Sequence, residues 1–187
     1  MINKYSELTN YGRCLKIMGN DLDVKFDEKI KELQEKLPKM TSGANCAELT
    51  LTSVLEILGL QDHVYNNLII PFGGGFGGYK SKRGWMGPCG AVSGGCAATG
   101  VILAGKKKMP NELRPMAYFK SSKFATEFEN EFGSVVCSQL CGYDLSDPNN
   151  FVKYQKNNTW ATTCNNFVIW AVDSVRKIMQ KELNNWD

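Results

Sequence analysis

The chain has 187 residues, a length that fits one domain or one domain with an appendage. Lys and Arg number 22 against 19 Asp and Glu, and a net charge of +3 is too slight and too dispersed for a nucleic-acid or anionic-membrane surface. Apolar residues at 43% suffice for a core and exclude wholesale disorder, while seven Cys against one His argue against His-dependent zinc hydrolases, Cys–His zinc fingers and facial-triad iron oxygenases.

The opening segment MINKYSELTNYGRCLK lacks the basic start and apolar run of an export signal. The longest uncharged stretch, Gly84 to Gly105, is Gly, Ser, Pro and Cys in its first half, so it reads as a buried helix with a Gly-rich approach and not as a membrane span. The expectation is a soluble cytoplasmic protein with reduced thiols. An odd number of cysteines also precludes complete pairing within one chain.

In chain order, a weak helix is expected over Lys4 to Met18. A stronger one carries Phe26, Ile30, Leu33 and Leu37 at helical spacing and stops at Pro38. Residues 1–38 are therefore expected to form an N-terminal helical appendage that covers the site or makes a homodimer interface, with 39–187 as the main domain. After a hinge over Lys39–Ala44, Asn45 caps an amphipathic helix (Ala47, Leu51, Val54, Leu55, Leu58) that Gly59 ends. A short helix over Asp62–Ile70 leads to Pro71.

Eight Gly then fall between Gly73 and Gly90, a density that signals positive φ or close backbone approach. From Cys89 small residues dominate (Gly90, Ala91, Ser93, Gly94, Gly95, Ala97, Ala98), predicting a central, tightly surrounded helix that ends at Gly105. Past a Pro-bounded loop, Ser121–Phe132 is amphipathic through Phe124, Phe128 and Phe132 and stops at Gly133. A short piece runs from Ser134 to Leu140, and Asp144–Trp160 reads as a polar loop. The last helix is expected to open at Thr162-Thr163 and to carry Phe167, Val168, Ala171, Val175 and Ile178. No alternating strand pattern appears, so the fold class is all-α: a compact helical bundle in which a Gly-rich loop leads into a small-residue helix.

Cys46, Cys89, Cys137 and Cys164 all fall at predicted helix starts, where roughly +0.5 charge and free N–H groups favour thiolate over thiol. Metal binding and thiol redox chemistry both need that ionisation, whereas a packing cysteine has no reason to prefer the address. Cys14 lies mid-helix and reads as incidental. Cys96 stands seven residues after Cys89 and Cys141 four after Cys137, so each is an additional candidate ligand.

The ordered set Asn45-Cys46-Ala47, Phe72-Gly73-Gly74-Gly75, Cys89-Gly90-Ala91-Val92-Ser93-Gly94, Phe132-Gly133-Ser134 with Cys137, and Cys164 resembles the redox-active proteins named for their C-GCAxxG-C-C cysteine pattern. Gly95-Cys96-Ala97-Ala98-Thr99-Gly100 spells GCAxxG literally, so the second family cysteine fits either frame; the Gly-rich approach and helix start favour Cys89. The resemblance spans about Lys39 to the C-terminus. It implies a small helical redox protein of anaerobic prokaryotes with Cys46, Cys89, Cys137 and Cys164 as the recurrent cysteines. Related helical domains occur in split-Soret cytochromes, but the chain has no C-x-x-C-H, so covalent c-type haem is not expected.

Three chemistries remain open on these residues. An iron–sulfur centre for electron transfer or small-molecule reduction comes first, with Cys46, Cys89, Cys137 and Cys164 as ligands, Cys96 and Cys141 as further thiols, and Gly74, Gly75 and Gly90 supplying backbone to the cofactor. A metal-free dithiol/disulfide couple is second, and structural zinc on four thiolates third. An electron-transfer partner is implied by the first. Nucleotide motifs fail: Gly73-x-Gly75-x-x-Gly78 follows Pro-Phe instead of a strand, and Gly100–Lys107 has Lys where a P-loop needs Ser or Thr. Lys80, Lys82 and Arg83 are either solvated or offset thiolate charge. His63 is expected at a surface or cap, and the four Trp in packing.

Overall fold

Apolar residues from most of the helices meet in one shared core. The structure, a computed structural model, describes residues 21–40 and 43–186; the expected helix over Lys4–Met18 and Cys14 lie outside them. Among the described residues every regular element is helical, and the extended pairings are two isolated bridges, Lys80 with Met86 and Pro88 with Val136. The all-α expectation holds. No helix among these residues is long and apolar enough to cross a membrane.

Helix α1 (Asp21–Lys36) buries Leu22, Phe26 and Leu33, and a 3-10 turn at Leu37–Lys39 ends it around Pro38. Burying side chains of this size contributes roughly 1.5–3 kcal/mol each. Arg176 ties α1 to the last long helix, pairing with Asp27 and lying 5.9 Å over the Phe26 ring. The 1–20 part of the predicted appendage is not described, while α1 shares its core with the rest of the chain.

Helix α2 (Cys46–Ile57) and helix α4 (Gly90–Ala104) form the central pair, with the short α3 (His63–Ile69) between them in sequence. His63 opens α3 behind its cap Asp62 and is exposed, as expected. Glycine on α4 permits the contact: a methyl on Gly94 would stand 2.6 Å from the Ala47 carbonyl oxygen. Helix α5 (Arg114–Phe132) lies on the other side of α4 and α8 (Asn165–Ile178) closes the bundle. Phe124, Phe128, Phe132, Phe167 and Trp170 meet there ring to ring at 4.8–6.0 Å, each pair adding about 0.5–1.5 kcal/mol to simple burial.

Three sequence expectations are corrected. Helix α5 starts at Arg114 and not Ser121, because Pro115 occupies its first turn, where a missing N–H costs nothing. The supposed polar loop after Asp144 contains α7 (Pro148–Lys156), capped by the Asp147 side chain accepting from the Asn149 N–H with Pro148 at the helix start. The last helix does not open freely at Thr162-Thr163, since the chain winds through a π-turn (Trp160–Cys164) straight into α8. Short helices α6 (Cys137–Cys141) and α9 (Gln180–Leu183) complete the set.

Candidate functional site

The Asn45 side chain accepts from the N–H groups of Ala47 (3.0 Å) and Glu48 (3.1 Å), while the Glu48 carboxylate accepts from the Asn45 N–H (3.2 Å). This reciprocal cap fixes the first turn of α2 and hence Cys46, its first residue. The Asn45 amide also donates to the Ile70 carbonyl (2.9 Å), drawing the Gly-rich segment against the same turn. There Gly74, Gly75, Phe76 and Gly77 all adopt left-handed φ of 58–70°, a single left-handed helical turn that only a Gly-rich sequence forms cheaply.

Cys89 caps α4, and the preceding backbone is zipped to the stretch before α6. The Cys89 N–H donates to the Val135 carbonyl (2.7 Å) and the Cys137 N–H to the Gly87 carbonyl (3.1 Å). Gly90 is obligatory, because a methyl there would fall on the Cys46 sulfur and lie 2.8 Å from the Ala47 nitrogen.

These elements surround one cavity of about 480 Å³. Cys46, Cys89, Cys137, Cys141 and Cys164 line it, along with Gly74, and all five thiols are free. Met40, Leu140, Leu145 and Phe167 supply apolar wall, and Phe151, Tyr154, Gln155, Asn158 and Trp160 the side toward α7 and the π-turn. The Trp160 indole N–H donates to the Leu37 carbonyl (2.9 Å), so the end of α1 braces this wall. Cys96, a candidate additional thiol, does not line the cavity: its sulfur points at the Ser121 carbonyl (3.7 Å) against α5. Seven residues along a helix carry it out of reach of the helix start. Gly75 faces Cys137 and the Gly87 carbonyl, so it shapes the cavity wall without opening onto it.

The sulfurs are not equivalent. Cys46 is lowered to about 6, chiefly by a hydrogen bond from Cys89 and then by the N–H groups of Gly74, Gly90 and Ala47, against the opposing effect of burial. Cys89 is raised well above the thiol range by donating to Cys46 and by burial. The second pair repeats this: Cys137 donates to Cys141 and is raised, and Cys141 falls to about 7. Burial pushes Cys164 up to about 12, offset in part by a hydrogen bond from the Tyr154 hydroxyl. Tyr154 is itself raised by burial and by the neighbouring sulfurs.

The expectation that four helix starts would give four thiolates is thereby corrected. A helix terminus adds only a partial charge, whereas two sulfurs in contact cannot both ionise. Cys164 also lacks a free terminus, because the π-turn runs into α8 and uses the N–H groups that would otherwise face it. Tyr154 and the low value of Cys141 escaped the sequence reading. The readable signal for the first was Asp147-Pro148, a cap followed by Pro at a helix start.

Among the described residues, no three Cys, His, Asp or Glu side chains stand together closely enough to grip one metal ion.

Fold and site together define an all-α protein with a cavity lined by five cysteines. Residues 44–178 match the model of the family described as "Putative redox-active protein (C_GCAxxG_C_C)", and the chain belongs to that family. No curated protein and no solved structure matches it.

Proposed function

We propose that the cavity is a redox centre that holds an iron–sulfur cluster, with Cys46, Cys89, Cys137 and Cys164 as ligands and Cys141 as a fifth thiol in reach. One observation carries this reading: the sulfurs converge from α2, α4, α6 and the π-turn on a space of about 480 Å³. A dithiol couple needs two sulfurs, and this cavity gathers five. When bound, the cluster supplies one-electron chemistry at a potential set by charge, hydrogen bonds and exposure. The chain's own part is to keep sulfur ionised and to exclude water. The N–H groups of Gly74, Gly90 and Ala47 hold negative charge on Cys46. Leu140, Leu145 and Phe167 keep the surroundings apolar. Purification without oxygen should give a coloured protein whose visible absorption bleaches with dithionite. Cys96→Ala should leave that absorption intact while Cys89→Ala removes it, and a spectrum that depends on Cys96 instead would contradict the assignment.

A metal-free dithiol couple is the second reading, favoured by the hydrogen bond from Cys89 to Cys46. The Cys46 thiolate would attack a partner disulfide, releasing one partner thiolate. Cys89, passing its proton to that thiolate, would then displace the second one and leave a Cys46–Cys89 disulfide. Structural zinc is the weakest fit, because no three donors among the described residues lie within reach of a single ion.

A further inference from the structure

Residues 72–87 form a surface flap whose two edges face different worlds. The inner edge belongs to the site: Gly74 donates to Cys46, Gly75 packs on Cys137 and the Gly87 carbonyl accepts from the Cys137 N–H. The outer edge displays aromatic rings to water, with Trp85 74% exposed, Tyr79 52%, Phe76 45% and Phe72 38%. The flap is ordered by its own hydrogen bonds. Gly87 N–H donates to the Tyr79 carbonyl (3.2 Å), Ser81 N–H to the Trp85 carbonyl (2.7 Å), and Trp85 N–H to the Ser81 hydroxyl (2.9 Å).

Phe76 is the telling residue. It is the one non-glycine in the left-handed turn, at φ 58°, a conformation that glycine adopts without strain and a bulky residue does not. The strain does not serve burial, since the ring stands in solvent against Phe72 with centroids 5.4 Å apart. Strain held for a surface aromatic pair, and not for the core, points to recognition. The charges on the flap have one sign. Lys80 is neutralised by Asp144 at 2.6 Å, whereas Lys82 and Arg83, exposed at the tip between Ser81 and Trp85, have no ion pair among the described residues. Exposed aromatics beside a free Arg have the composition of an interface centre, and the free cations call for an acidic counterpart.

We propose that this flap is the docking face for an acidic electron-carrier protein, with Phe76 and Trp85 as apolar anchors and Lys82 and Arg83 meeting its carboxylates. The proposal rests on the redox reading of the cavity. One electron would leave the reduced carrier and one would be gained by an oxidised iron–sulfur cluster held on the cavity cysteines, with no bond made or broken.

The test uses a small acidic ferredoxin as probe against the full chain, following binding by titration calorimetry at increasing salt. Binding should be measurable at low ionic strength and weaken steeply with salt. Lys82→Glu with Arg83→Glu should weaken it about tenfold or more. Phe76→Gly separates recognition from structure: relief of strain should hold or raise the melting temperature while binding falls. Dithionite should reduce the centre equally in every variant. Reduction by dithionite together with no ferredoxin binding, or binding indifferent to these substitutions, overturns the docking face alone. A chain that dithionite cannot reduce overturns the redox reading, whatever the titration shows. A wild-type dimer that Trp85→Ala turns into a monomer assigns the face to a second copy and overturns the carrier.

Discussion

The two sides of the cavity are built to different standards. Cys46 and Cys89 stand at the starts of long helices whose backbones touch through Gly90 and Gly94, with the α2 start locked by a reciprocal cap. Cys137, Cys141 and Tyr154 stand on a five-residue helix and on α7, which buries none of its residues. Few buried contacts mean a low cost of local opening. Each side carries one lowered sulfur, Cys46 on the rigid side and Cys141 on the lightly held one, and the lightly held side opens more easily, past Phe151 and Tyr154.

The largest expected effect breaks the rigid side. Gly90→Ala drives a methyl into the Cys46 sulfur and the Ala47 backbone, and should cost about 2–3 kcal/mol as overpacking. Denaturant unfolding measures that loss, and the thiolate absorbance of Cys46 at neutral pH should vanish with it. Asn45→Ala comes next, at about 1 kcal/mol for the lost cap. It should also slow alkylation of Cys46 near neutral pH, because the first turn and the Ile70 tether loosen together.

A pH series sharpens the contrast within each sulfur pair. In the reduced, metal-free chain Cys46 and Cys141 release protons at about 6 and about 7, which the unfolded chain keeps until about 8.5. Their contribution to stability therefore grows from pH 6 toward 8.5 and is lost on acidification. Cys89, Cys137 and Cys164 are raised, so above that point the unfolded chain ionises first and stability falls again. Urea midpoints should pass through a maximum near pH 8–9; a midpoint that only declines from pH 6 upward would contradict the paired assignment.

The smallest effect belongs to the lightly held side. Tyr154→Phe removes one hydrogen bond to Cys164 and should cost about 1 kcal/mol or less. Its readout is Cys164 itself, whose alkylation should need a more alkaline pH than in the parent protein, with Cys46 unchanged.

What could be read from the sequence follows the same division. Asn45 as a cap, the Phe26–Leu37 stripe, and stops at Gly105 and Gly133 are local signals, and the structure repeats them. Helix α7 was missed because it is short and mostly polar, with Asn149, Asn150, Lys153, Gln155 and Lys156 outweighing Phe151, Val152 and Tyr154. The unequal sulfurs were missed for another reason. Which thiol of a touching pair ionises depends on contacts between residues 43 positions apart, as for Cys46 and Cys89, and no spacing rule reports them. Both GCAxxG frames read alike along the chain, and only folding turns Cys96 toward Ser121.

The central claim is that sulfurs from four elements share one cofactor. Iron and acid-labile sulfide, assayed per chain after oxygen-free purification, test it most directly. The account predicts both in comparable amounts, lost together in Cys46→Ala. Iron-free, colourless protein that still cycles a Cys46–Cys89 disulfide would contradict it.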